Sequence, residues 1–239
     1  RSDVFLENVR TGLGMLRAMD SLMQQASDVL KRVKVLVQQA ANGTLTAEDR
    51  QTIAAEVRQL REQMVVIGNS SFNGKYLFNG QKTDQAPYTI ANAANEATDD
   101  GVYYLNVSPS IQVPVSLQGE QIFGQAGDPE NTFKILDDII NHLMNNDANG
   151  LRAALDRMVI AEERIYAAWA EIGARTNRFE LLENRILDEQ VSLQRLKSET
   201  GDVDMADAII RLKLHENTLQ AALATGARIM QVSLVDFLK

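Results

Sequence analysis

Residues 151–200 read LRAALDRMVI AEERIYAAWA EIGARTNRFE LLENRILDEQ VSLQRLKSET, and the spacing within them decides the fold. Leu151, Leu155, Met158, Ile165, Trp169, Ile172, Phe179, Ile186 and Leu193 recur at steps of four and three. Such steps place side chains along one stripe of an α-helix and make a coiled-coil-like seam. Glu162, Thr176, Glu183 and Gln190 fall in gaps of that seam, and Leu182 sits one place off it. At ~1.5 Å per residue, about fifty residues span roughly 75 Å, far beyond the radius of a compact domain. A helix this long needs other helices to cover its stripe. Trp169 lies on the stripe and so reads as core and not as a ligand platform.

Outward from this segment the helical pattern continues. Gly201 is predicted to break the helix, with Asp204 and Asp207 starting another that carries Met205, Ile209, Leu212, Leu219, Leu223 and Met230. Upstream, the spacing predicts a helix over Thr132 to Asn145 and a turn at Asn149-Gly150. Near the start, Val9, Leu13, Leu16, Met23, Ala26, Leu30, Val33, Val37 and Ala40 predict one helix from Val4 to Ala41. Asn42-Gly43 suits its end, because both residues tolerate left-handed backbone. Thr46, with Asp49 three residues on, forms a near capping box for a second helix bearing Ile53, Val57, Leu60, Met64 and Ile67. The short join makes the two helices antiparallel neighbours.

Between these helical flanks the composition changes. All four prolines lie between residues 87 and 129, and 84–131 holds seven carboxylates with no Lys or Arg. With a net charge of -8, nearly all the imbalance sits in this insert, while the flanks are close to neutral. The insert reads as strands. Tyr76-Leu77-Phe78 precedes the turn dipeptide Asn79-Gly80, and Asp99-Asp100-Gly101 reads as a hairpin turn into Val102–Val107. Ile111, Val113, Val115 and Leu117 alternate, with Pro114 confining that run to an edge. The predicted fold class is mainly α with a β insert: an elongated antiparallel helical bundle or coiled coil carrying a small β-rich domain. The predicted divisions are a helical N-terminal arm over 1–75 and the acidic insert over 76–131. A return arm with the long helix follows over 132–204, then a terminal helix over 205–239.

Few chemistries fit. There is no cysteine, hence no disulfide or thiolate metal site. The acidic balance disfavours a nucleic-acid partner, and no apolar run approaches a membrane span. No cationic start leading into an apolar stretch marks a secretory signal. Gly68 to Lys75 imitates a phosphate loop, but five residues separate its glycines, Tyr76 follows the lysine, and a helix precedes it. Asp202-Val203-Asp204 with Asp207 lacks the glycine and glutamate of a calcium loop, having Asp207 and Lys213 at those places. His142 and His215 have no partner at ligand spacing, and Glu162-Glu163 and Asp137-Asp138 read as solvated helix faces. No catalytic residue, cofactor or metal ligand is predicted, and no nucleophile–base pair for an enzyme.

Three stretches resemble the flagellin family. They are Leu36 to Thr46 running on to Asp49-Arg50, Asn69 to Gly80, and Ala221 to Gln231 with the tail Ser233-Leu234-Val235-Asp236-Phe237-Leu238. Tyr76-Leu77-Phe78 followed by Gly80, together with that tail, looks like the hook–filament junction members of the family. Asn79 stands where the family more often has a small residue, and the chain begins inside the family's first helix. The resemblance implies a non-enzymatic extracellular subunit of the bacterial flagellum, exported unfolded by a type III apparatus with a dedicated export chaperone. It implies a ring of copies between the first hook-associated protein on the hook side and flagellin on the filament side. It also points to Leu212, Leu219, Leu223, Met230, Leu234 and Phe237 as an assembly interface that folds on assembly. The intrachain seam is then Leu151, Leu155, Met158, Ile165, Trp169, Ile172, Phe179 and Ile186. Two alternatives stay open: a short filament flagellin, and a cytoplasmic coiled-coil signalling or chaperone module.

Overall fold

The computed structural model describes the backbone from Ser2 to Phe237, and the side chains of that range except 201–204 and 228–237. Five helices and two small hairpins follow in the order α1 (Ser2–Ala41), α2 (Ala47–Gly68), β1 (Ser71–Phe72), β2 (Lys75–Tyr76), β3 (Tyr104–Ser108), β4 (Ile111–Pro114), α3 (Gly119–Phe123), α4 (Thr132–Met144) and α5 (Ala148–Phe237). The chain divides into two units, the first ending at Ile186 and the second starting at Leu187. The acidic insert belongs to the first unit with α1, α2 and α4.

Every residue of the α1 stripe is buried, from Val9 to Ala40. Gly12 is buried for a specific reason: a Cβ there would lie 2.4 Å from Phe179 Cε1, so the glycine makes room for a ring from α5. Gly14 does the same for Phe72 of β1. At the start of α2 the capping box is complete. Thr46 Oγ1 accepts from the Asp49 amide at 3.1 Å, and Asp49 Oδ2 accepts from the Thr46 amide at 2.9 Å. Hydrogen bonds from the Thr46 hydroxyl and amide hold the Asp49 carboxyl below its ordinary value.

The α5 seam is simpler than the spacing suggested. Leu151, Met158, Ile165, Ile172, Phe179 and Ile186 are buried, one every seventh residue, and Ala154, Ala161 and Ala168 form the second buried row. Leu155 and Trp169 lie at the margin, half-buried. Small alanines three residues on let helices approach closely, so the bulky residues at four are displaced to the edge.

Four local expectations are corrected. Gly201 does not end the helix, since α5 is continuous through it. One glycine costs about 1 kcal/mol relative to alanine, too little to stop a proline-free run of good helix formers. Asn149-Gly150 is not a turn but the first turn of α5. The reversal lies just upstream, at Asn146 with φ 57°, and Asp147 Oδ1 accepts from the Gly150 amide at 2.9 Å. The first hairpin does not run through Phe78. It pairs Ser71 with Tyr76 and Phe72 with Lys75 about Asn73-Gly74, with φ 50° and 76°. Both central residues have positive φ, as the two-residue hairpin turn that matches strand twist requires. Finally, Asp99-Asp100-Gly101 is not a hairpin turn. Strand β3 pairs with β4 around Pro109-Ser110, with Tyr104 opposite Pro114 and Leu105 opposite Val113. The Asp99 carboxylate instead accepts from the Gln81 amide at 2.8 Å and the Gly101 amide at 3.2 Å. The Gln81 bond foremost holds Asp99 below its ordinary value.

The insert is thus mostly non-repetitive backbone, and buried polar groups must be satisfied by something other than a ladder. Asparagines do this. Asn69 donates to Tyr88 O at 2.6 Å and accepts from its amide at 2.9 Å. Asn79 donates to Gln85 O and accepts from the Asp99 amide, each at 3.0 Å. Asn131 caps α4 at Phe133 N and donates to Gly124 O at 2.9 Å. Phe78, Tyr88, Phe123 and Phe133 form an aromatic cluster with centroids 4.9–6.4 Å apart along their contacts. Burial pushes the Tyr88 phenol well above its ordinary range.

Candidate assembly surface

The first unit holds its helices by two kinds of device. Across α1 and α5, polar contacts step in opposite directions along the chain. Arg10 meets Glu183 at 2.9 Å, and Arg17 meets Glu180 at 3.6 Å. Trp169 Nε1 donates to Asp20 Oδ1 at 2.6 Å, and Ser27 Oγ donates to the Tyr166 hydroxyl at 3.3 Å. Lys34 meets Glu162 at 2.8 Å, and Arg152 Nη2 donates to Ala41 O at 3.3 Å. Rising numbers on α1 meet falling numbers on α5, so the pair is antiparallel. Exposed ion pairs contribute little energy, so this ladder sets register more than stability.

The second device is buried arginine. Arg50 Nε donates to Ala40 O at 2.9 Å, and its terminal nitrogens donate to Asn42 O and Leu45 O at 3.1 Å and to Asn146 Oδ1. It therefore satisfies carbonyls at the end of α1 that the helix leaves without partners. Arg61 Nε meets Asp137 Oδ1 at 2.5 Å, and Nη1 donates to Ile90 O, tying α2 to α4 and the insert. Farther along, Arg164 donates to Glu130 O at 2.9 Å and Arg175 to Ser116 O at 2.8 Å. Burial pushes the Asp138 carboxyl up, but bonds from Lys134 at 2.5 Å and Arg157 at 2.8 Å outweigh it and leave it below its ordinary value. Sequence reasoning missed Arg50 and Arg61. Their signal was available: both stand among Ile53, Val57 and Met64 at positions where the helical period asks for an apolar residue.

The second unit contrasts with all this. Leu212, Leu219 and Leu223 are 59%, 61% and 66% exposed. Met205 and Ile209 are exposed beside them. At ~100° per residue these five fall within about 40° of one line. Leu193, Leu196, Ile210 and Leu214 are also exposed and cluster on the opposite side, a second stripe the spacing argument had not separated out. Leu193, expected on the buried seam, is among them. Arg211 meets Asp207 at 2.9 Å and Thr218 Oγ1 donates to Leu214 O at 2.7 Å, both contacts within the helix. Met230, Leu234 and Phe237 have side chains outside the described residues.

Other sites are bland. His142 Nδ1 lies 2.9 Å from Asp147 Oδ2 at the α4–α5 join, and His215 is exposed on α5. The Gly150 amide, foremost, holds Asp147 below its ordinary value. Among the described residues no group of three or more His, Asp or Glu is placed to hold a metal. Among them, too, no helix is long and apolar enough to cross a membrane.

The comparisons with known proteins agree with the architecture. The model for the bacterial flagellin N-terminal helical region matches residues 1–83, and that for the C-terminal helical region matches 159–238. The chain is 28% identical over 226 residues to a 30.7 kDa flagellar filament core protein of Treponema maltophilum, covering 93% of this chain and 73% of that one. It is 24% identical over 250 residues to flagellar hook-associated protein 3 of Escherichia coli K12, covering 92% and 76%. The fold is similar to that of hook-associated protein 3 from Legionella pneumophila, with TM-score 0.70 at 17% identity over 82% of this chain and 96% of that one. Against flagellin from Bacillus cereus the TM-score is 0.55, at 20% identity over 75% and 88%. A helical body interrupted by an insert, with both flanking helical regions matching the two halves of one family, leaves a single assignment: the chain belongs to the flagellin family.

Proposed function

We propose that the protein is a structural subunit of the bacterial flagellum that joins hook-side proteins to the flagellin filament by helix packing. The observation that carries this reading is the apolar stripe of Met205, Ile209, Leu212, Leu219 and Leu223, left open to solvent while the seam of the first unit is sealed. An exposed stripe of this length is an interaction surface awaiting other helices. The better agreement with the hook-associated fold than with a flagellin fold supports a junction place over a filament place.

In this reading the terminal region 205–239 serves axial assembly, and its partners are other copies in a ring, the first hook-associated protein, flagellin and an export chaperone. The subunit sits outside the cell at the hook–filament junction and turns over no substrate. A second reading, a short filament flagellin, draws support from the Treponema maltophilum relative. Polymerisation separates the two. Purified protein added to filament seeds should cap them without extending them. Long filaments grown from this protein alone would replace the junction reading with the filament one.

A further inference from the structure

Four Asn-Gly pairs occur in the chain, at 42–43, 73–74, 79–80 and 149–150. We infer that Asn42 is a site of spontaneous deamidation, and that the fold protects the other three. The reaction needs no enzyme or cofactor. The Gly43 amide nitrogen attacks Asn42 Cγ, a new C–N bond forms, the bond to Nδ2 breaks, and ammonia leaves with the proton from Gly43. Water then opens the cyclic imide at either carbonyl, giving aspartate or isoaspartate. Closure requires an attacking amide that no acceptor holds, a side chain free to rotate, and backbone room, which glycine supplies.

The structure sorts the four pairs on these terms. Asn149 Oδ1 accepts from Arg152 Nη1 at 2.7 Å, and its attacking nitrogen, Gly150 N, is held by Asp147 Oδ1 at 2.9 Å inside α5. Asn79 is buried with both side-chain ends bonded, and Gly80 is packed against Asp99 O and Gly101 O. Asn73 is exposed, but its positive φ is clamped by strand pairs on both sides, so closing the ring means breaking the hairpin. Asn42 meets none of these obstacles. It is exposed in the short α1–α2 connection, no hydrogen bond ties the Gly43 amide, and nothing lies within 4 Å of where a Gly43 Cβ would stand.

The position also has a consequence. Arg50 Nη2 donates to the Asn42 main-chain carbonyl at 3.1 Å. Opening the imide at that carbonyl creates a carboxylate where the guanidinium already sits, which favours the isoaspartate product. The modification therefore acts on the joint that fixes α1 to α2.

Ageing the intact protein at mildly alkaline pH, followed by peptide mass spectrometry, tests this. A gain of about 1 Da should appear first in the peptide containing Asn42, while Asn79 and Asn149 stay unmodified. In urea all four should react together, because folding is what separates them. Gly43→Ala has room for its methyl and should keep the native circular dichroism while losing the gain at Asn42. The inference is overturned if Asn73, Asn79 or Asn149 in the folded protein reacts as fast as Asn42. It fails equally if Asn42 stays intact when the unfolded chain reacts, or if Gly43→Ala folds and reacts unchanged.

Discussion

Helix α5 contains two stretches with the same kind of apolar periodicity and opposite fates. From Leu151 to Ile186 the stripe is sealed against the chain's own helices. From Met205 to Leu223 it is open. Both carry large apolar residues at helical spacing, although the sealed stretch adds Phe179 and a row of alanines at 154, 161 and 168. What differs is the supply of covering helix. Arg10 of α1 stands opposite Glu183, inside the sealed stretch. A periodic stripe shows that a helix has a partner. It does not show whether that partner lies in the same chain.

The largest effect should come from breaking the open stripe. Leu223→Asp places a charge in the proposed interface and should abolish incorporation into flagella, with the first unit still folded by circular dichroism. Normal filament counts in a strain carrying only this variant would mean the stripe is not an interface.

On the sealed side the same logic predicts stability in place of assembly. Phe179→Ala should cost about 3–5 kcal/mol in urea unfolding, because a fully buried ring leaves a cavity. Leu214→Ala, on the open stretch, should stay within ~0.5 kcal/mol. Equal costs would erase the contrast between the two stretches.

Gly12→Ala sharpens it further. Its methyl would strike the Phe179 ring, so about 1–3 kcal/mol should be lost to overpacking. In the Phe179→Ala background that loss should vanish, since the two sites are coupled by contact. Additive losses would show that the ring does not sit on this glycine.

Acid sensitivity should also belong to the sealed unit. The folded pKa of Asp138 lies below the unfolded value of about 3.9, so the unfolded chain takes up the proton more readily. Its contribution is therefore present above about pH 4 and is lost as pH falls through the folded value. Asp138→Asn should flatten the acid limb of the stability curve. An unchanged limb would mean that Lys134 and Arg157 do not hold the carboxylate in solution. A last effect is local. Thr46→Ala should cost about 1 kcal/mol by removing the α2 cap, and a cost near zero would show that the box contributes nothing.

Much was legible in residue order alone. The α1 stripe, the Thr46–Asp49 cap, the heptad from Leu151 to Ile186 and the acidic, proline-bearing insert all follow from local rules. Helical period, capping and turn chemistry act over a few residues, so sequence carries them directly. The hairpin turn expected at Asn79-Gly80 lies instead at Asn73-Gly74. Both are good turn formers, and only strand pairing chooses between them.

Other features depend on groups distant in sequence. The helical period marks Arg50 and Arg61 as inward-facing, but their partners, α1's terminal carbonyls and Asp137, are brought to them only by the tertiary structure. The insert reads as strands because alternation favours them, but asparagine side chains at 69, 79 and 131 bond its backbone and replace most of the ladder. Periodicity determined that α5 would be a helix with apolar stripes. Only the tertiary structure decided which part of it is covered among the described residues, because covering depends on the register in which helices distant in sequence pack together.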